Sequence, residues 1–162
     1  MLLNTLYTLI ATFSFSILAN IRGKNLVFAS LGGGFTWFIY LVSSNYIHTS
    51  SILCYFIASI FAAIYSETMA RILKAPVTTF VISSVIPLVP GSGMYYTMSQ
   101  SVQGNVTMSL NLGIQTLAIA GTIAIGVFLV SSLSKTLFHF KRMLDIKYKE
   151  LKTNEVSGKY LT

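Results

Sequence analysis

Sixty consecutive residues, 75 to 134, carry no charged side chain. A water-soluble domain has about 25% charged residues, so a run of this length is dictated by a different solvent, the lipid bilayer. Lipid offers backbone N–H and C=O groups no partner outside the chain, so a segment that crosses it folds into helix or closed barrel. Continuous apolar runs of this length read as helix. Within the run lies Ile86-Pro87-Leu88-Val89-Pro90-Gly91-Ser92-Gly93-Met94-Tyr95-Tyr96, where a continuous helix is hardest to keep. Each proline removes a backbone donor and collides with the carbonyl one turn earlier. Gly91 and Gly93 add torsional freedom. An interrupted membrane helix is expected here.

The rest of the chain agrees with a membrane setting. Its 162 residues are 54% hydrophobic and 9% charged, with a mean hydropathy of +0.71. A spanning helix needs about 20 apolar residues, and five segments fit: 2–21, 26–44, 51–70, 76–98 and 110–134. The first reads as a retained span, because it lacks a basic leader and runs uncharged to Ile21, beyond a signal core of about 7 to 15 residues. The expected fold class is therefore all-α, a polytopic membrane bundle of about five transmembrane helices, the fourth interrupted at Pro87–Gly93.

Charge sets the expected orientation. Of fifteen charged residues, ten lie in the last 28; the others are Arg22, Lys24, Glu67, Arg71 and Lys74. Basic residues beside apolar spans mark the cytoplasmic side. Five spans with the N-terminus outside and the C-terminus in the cytoplasm place all eleven Lys and Arg on that side. Arg71 and the tail then share a side, so the interrupted segment crosses fully. Residues 1–134 are expected to form the transmembrane bundle and 135–162 a basic cytoplasmic tail. In that tail Leu137, Phe140, Leu144, Tyr148 and Leu151 fall at helical spacing, with an Asp145–Lys149 pair, as in an amphipathic helix. A solvated basic terminus explains the same residues equally well. Either way the +7 net charge is local, and no nucleic-acid partner is expected.

Packing cues recur along the spans. Ala58, Ala62, Ser66 and Ala70 form a four-step ladder of small residues against which another helix can approach closely. Gly32-Gly33-Gly34 and the trio Ala120, Gly121 and Ala124 invite the same expectation. Asn111 and Gln115 are polar where lipid disfavours them, and are expected to face other helices or a cavity. Trp37, Tyr40 and Tyr46 suit an interfacial aromatic belt.

Broken membrane helices serve transporters by aiming half-helix starts at anionic groups and freed carbonyls at cations. Candidate substrate or transport residues are therefore Pro87, Pro90, Gly91, Ser92, Gly93 and Tyr95. Ser92 would cap the restarted helix or touch a ligand, and Tyr95 would add a hydroxyl and an aromatic wall. A kink that shapes packing alone is the plainer alternative. Glu67 and Arg71 lie four residues apart near the end of the third span, as either an ion pair or a coupling site, since intramembrane carboxylates mark ion and proton paths. Enzymatic chemistry is not expected. The sequence holds no GxxxxGK[ST], HExxH or GxSxG, and its lone Cys54, His48 and His139 offer no clustered metal ligands. No cofactor, metal or disulfide is expected.

The pattern Ser66-Glu67-x-x-Ala70-Arg71, then Ala75-Pro76-Val77, then Ile86-Pro87-Leu88-Val89-Pro90-Gly91-x-Gly93-Met94-Tyr95 resembles the threonine/serine exporter family, and more closely its small, separately encoded membrane subunit. The resemblance covers nearly the whole chain, and the proline-glycine-tyrosine core is its most specific part. It implies a heteromeric carrier in the cell membrane, completed by a larger subunit with a soluble N-terminal region. It also implies export of threonine and serine, driven by the proton gradient, or of dicarboxylates such as succinate. Pro87, Pro90, Gly91, Gly93 and Tyr95 would be the motif core, with Glu67 and Arg71 from the preceding motif. A membrane scaffold that folds or anchors the larger subunit without transporting is the alternative from another class.

Overall fold

The computed structural model describes the backbone of residues 2–46 and 51–159, and the side chains of residues 2–46, 51–136 and Met143. Among the described residues the chain is all-helical: α1 (Leu2–Leu18), α2 (Lys24–Tyr46), α3 (Ser51–Ile72), α4 (Val77–Val85), a single 3-10 turn (Ile86–Leu88), α5 (Gly91–Val102) and α6 (Val106–Lys159). Two compact units divide it, Met1–Val130 and Ser131–Thr162. In the second unit α6 continues to Lys159. The expected tail stripe, the Asp145–Lys149 pair, His48 and His139 lie outside the described side chains.

Three stretches are long and apolar enough to cross a membrane: α2, α3 and Val106–Thr136. Val77–Leu88 and Gly91–Val102 meet that test together, bent by 52° at their junction. Helix α1 has 17 residues, about 25 Å at 1.5 Å per residue, against a hydrocarbon core of about 30 Å. The five expected segments thus appear as three long helices, one bent pair and one shorter helix.

The first helix stops before Ile21 for a local reason. Asn20 takes the left-handed conformation, φ 58°. Ile21 N–H then donates to the Ser16 carbonyl at 3.0 Å and Asn20 N–H to Ile17 at 2.9 Å, the two bonds of a Schellman cap. Gly104, φ 79°, closes α5 in the same way, with Asn105 N–H reaching Gln100 O at 3.0 Å and Gly104 N–H reaching Ser101 O at 3.1 Å. Helix ends are finished by such internal bonds, which matters where water is scarce.

Helix α2 is the hub, packing against α1, α3 and α4. Its three glycines make this possible. A Cβ on Gly32 would collide with Ser84 Oγ and stand 2.6 Å from Tyr65 Cε1; on Gly33 it would collide with Thr12 and stand 3.0 Å from the Ser83 carbonyl oxygen. The expected ladder on α3 is fully engaged: Ala58, Ala62, Ser66 and Ala70 are all buried. Close backbone approach by small residues is how helices associate in lipid, where apolar burial alone supplies little drive.

The trio on α6 behaves differently from expectation. Ala120, Gly121 and Ala124 are exposed, and a Cβ on Gly121 would meet nothing within 4 Å. The face that packs is Thr116, Ile119, Ile123 and Gly126. Ile119 and Ile123 join Ala58 and Leu88 in one apolar cluster, and a Cβ on Gly126 would collide with Ser59. Small size fits a residue for an interface but does not choose which face meets it. Trp37 and Tyr40 are half-buried against this cluster, whereas Tyr46 is exposed.

A second cluster, Ala29, Ala70 and Phe80, collects Ile21, Leu73, Ala75 and Val77 around it. These flank the two basic turns, Arg22–Lys24 and Arg71–Lys74, which therefore lie at the same end of the helices.

Candidate functional site

The break is built in three steps. Pro87 has no N–H, so the Ser83 carbonyl loses its usual helical donor, and α4 tightens into the 3-10 turn, with Val89 N–H on the Ile86 carbonyl at 3.2 Å. Val89, preceding a proline, takes the extended ψ of 125° that such residues favour. Pro90, at φ −78° and ψ 59°, is the centre of an inverse γ-turn, closed by Gly91 N–H on the Val89 carbonyl at 2.8 Å. Helix α5 then starts, with Met94 N–H donating to the Pro90 carbonyl at 3.1 Å. No side chain caps its first turn.

The glycines contribute through space and not through torsion. Among the described residues only Asn20, Gly23, Lys74 and Gly104 have positive φ, so Gly91 and Gly93 do not use the freedom expected of them. Gly93 is needed for contact: a Cβ there would collide with Thr116 Oγ1 and stand 3.3 Å from Thr116 Cγ2. The same hairpin is tied by Ser109 Oγ donating to the Thr97 carbonyl at 2.9 Å. A Cβ on Gly91 would meet nothing within 4 Å.

An open cavity of about 470 Å³, a groove more than a chamber, lies beside the break, lined by Tyr7, Thr8, Ala11, Thr12, Phe15, Trp37, Ile86 and Pro87. Its size falls in the range of small-molecule sites, about 300–1,000 Å³. The structure brings Pro87 to this cavity. Pro90 is half-buried, Gly91, Ser92 and Tyr95 are exposed, and none of them lines it. Tyr95 meets Tyr96 edge-on at 5.4 Å.

Residues Tyr7, Thr8 and Thr12 of α1 were not anticipated. Their signal was a polar ladder, Thr8, Thr12 and Ser16, at four-residue steps on an otherwise apolar helix. Thr12 Oγ1 donates to the Thr8 carbonyl at 2.9 Å and lies 3.2 Å from the Ser30 carbonyl. Below the cavity a seam of buried hydroxyls continues, with Ser16 Oγ 2.9 Å from Ser83 Oγ and Ser66 Oγ 3.4 Å from Ser84 Oγ. Each such hydroxyl has a partner inside the protein, as burial requires.

Arg71 Nη2 donates to Glu67 Oε2 at 3.2 Å. The carboxylate side chain is 12% exposed and the guanidinium 42%, so the acid is buried and its partner reaches outward. Glu67 is the only acidic residue before Asp145. Neither Glu67 nor Arg71 lines the cavity.

Asn111 and Gln115 are exposed on α6, where they border a second groove, of about 420 Å³, with Thr107, Met108 and Leu112. Of the two settings expected for them, another helix or a cavity, they take the second.

Residues 4–133 match the family model described as threonine/serine exporter, ThrE. No curated protein and no solved structure matches the chain. The matched region takes in the apolar helices, the Glu67–Arg71 pair and the whole break, so the chain is a multi-pass membrane protein with an exporter-type transport role. It belongs to the threonine/serine exporter family.

Proposed function

We infer that the chain is the small membrane subunit of a secondary, proton-coupled exporter of threonine and serine in the cell membrane, and that it works with a larger subunit of the same family. The observation that carries this is the 52° break with a cavity against Pro87. Irregular backbone survives at membrane depth only where it is buried in protein or lines a cavity, and transporters place substrate at such discontinuities. Pro87 lies ten residues beyond Val77, about 15 Å of helix and half of a hydrocarbon core of about 30 Å. The two arms, about 18 Å each, suffice for a full crossing. With α1 counted, five spans put both basic turns and the tail in the cytoplasm and the N-terminus outside.

A larger subunit is supported by what this chain leaves uncovered. Helix α5 has no buried residue, and in α6 only 17% of the most apolar window is buried, against 39% in α2. Two exposed amides, Asn111 and Gln115, are costly in lipid and call for hydrogen-bonding partners on a neighbouring helix. Proton coupling is assigned to Glu67, the one carboxylate of the first unit. The test is threonine efflux from preloaded cells expressing the chain with its larger subunit. Efflux should exceed that of cells lacking either chain and fall when the proton gradient is collapsed. Equal efflux without this chain would refute the assignment.

A further inference from the structure

We propose that the two basic turns, Arg22–Lys24 and Arg71–Lys74, form one binding site for an anionic phospholipid, with Arg22, Lys24 and Lys74 holding its phosphate. Such a site needs only the membrane fold, whatever solute the chain carries.

The turns are held together by packing. Ile21, next to Arg22, and Leu73 and Ala75, on either side of Lys74, sit against the same buried residues, Ala29, Ala70 and Phe80. The cations therefore share one end of the bundle and are not strung along separate loops. Arg22, Lys24, Arg71 and Lys74 are all exposed. Glu67 is the only acid before Asp145, and it is buried with Arg71 as a partner. Arg22, Lys24 and Lys74 make no ion pair among the described residues. Like charges gathered without a counter-charge repel one another, and an anion from outside relieves this.

Lys74 adds a conformational sign. It takes the left-handed φ of 51° just after α3, where Ala75 N–H donates to the Ala70 carbonyl at 3.0 Å. Glycine is the usual residue at such a cap, and the other turn does place Gly23 at φ 66°. A lysine there accepts steric strain that glycine would avoid, and what it gains is an ammonium on the turn.

A phospholipid fits better than a free phosphate because apolar surface lies beside the charge. Leu18 and Ile72, the last residues of α1 and α3, are both exposed. They stand four residues before Arg22 and two before Lys74, where acyl chains can lie against them. Basic pockets between membrane helices take anionic headgroups in this way, with lysine and arginine bonding the phosphate oxygens.

The full chain in dodecyl maltoside micelles is titrated with dioleoyl-phosphatidylglycerol, and bound lipid is counted by native mass spectrometry. One phosphatidylglycerol should saturate the chain at concentrations where dioleoyl-phosphatidylcholine does not bind. Each cation near an anionic headgroup contributes about fivefold in affinity. Arg22→Gln, Lys24→Gln and Lys74→Gln together should weaken binding on the order of a hundredfold, with the basic tail intact. Lys74→Gly separates the two roles of the lysine. Its melting temperature without phosphatidylglycerol should rise, because the strain is relieved, while its affinity for the lipid falls about fivefold. Should the triple variant not fold, Lys74→Gly alone decides. Equal binding of phosphatidylcholine overturns the proposal. So does undiminished affinity in the triple variant, which would assign the lipid to the tail, or in Lys74→Gly, which would leave the lysine without its role. Glycerol phosphate that displaces the lipid at equal concentration would mean a soluble phosphate site, and overturns it too.

Discussion

Ser16 Oγ and Ser83 Oγ lie 2.9 Å apart, both fully buried, and join α1 to α4 one turn before Pro87. This bond holds the helix that supplies Tyr7 and Thr8 against the helix that breaks. Interhelical hydrogen bonds in membranes are worth about 0.6 kcal/mol on average and about 1.7 at most. A double-mutant cycle of Ser16→Ala and Ser83→Ala, read by unfolding in mixed micelles, should give a coupling energy in that range. Strict additivity would mean the bond is absent in the folded protein.

Gly93 and Gly91 should differ in what an added side chain costs. Gly93→Leu forces α5 away from Thr116, an overpacking expected to cost about 1–3 kcal/mol. Gly91→Ala meets open space and should change stability by less than about 0.5 kcal/mol. Thermal melting of the two variants in detergent checks this. Equal damage from both would restore torsional freedom as the reason for the glycines.

These two glycines also mark the limit of what sequence could say. The break itself was legible, because proline chemistry is local and overrides lipid-driven helicity. The ladder on α3 and the hub glycines on α2 were legible because small residues at regular steps have few other uses. What was not legible depended on distance in space. Gly93 is small because Thr116 stands against it, 23 residues away, and no spacing rule announces that. The cavity draws most of its wall from α1, whose Thr8–Thr12–Ser16 ladder looks like ordinary back-bonding until Pro87 is brought beside it. Ala120, Gly121 and Ala124 misled because composition does not say which face of α6 is turned inward. Asn20 ended α1 three residues early through a left-handed cap that asparagine forms less often than glycine.

Glu67→Gln keeps the side chain's size while removing its proton chemistry. Threonine efflux should then lose its response to an imposed proton gradient, while the variant reaches the membrane in normal amount. Gradient-dependent efflux at wild-type rate would exclude Glu67 from coupling.

Asn111→Leu combined with Gln115→Leu replaces two exposed amides by side chains that lipid accepts. The variant should fold as before but recover much less of the larger subunit on co-purification from membranes, by about eightfold if two hydrogen bonds of roughly 0.6 kcal/mol each are lost. Undiminished recovery would place that contact on another surface.

The central claim is that the interruption at Pro87 and Pro90 exists to hold a solute. It is tested most directly by threonine efflux from preloaded cells carrying Pro87→Ala plus Pro90→Ala together with the larger subunit. Both alanines restore backbone donors and favour continuous helix, closing the 52° bend. The account predicts efflux at the level of cells without the chain, at normal membrane abundance. Wild-type efflux from the straightened chain would contradict it.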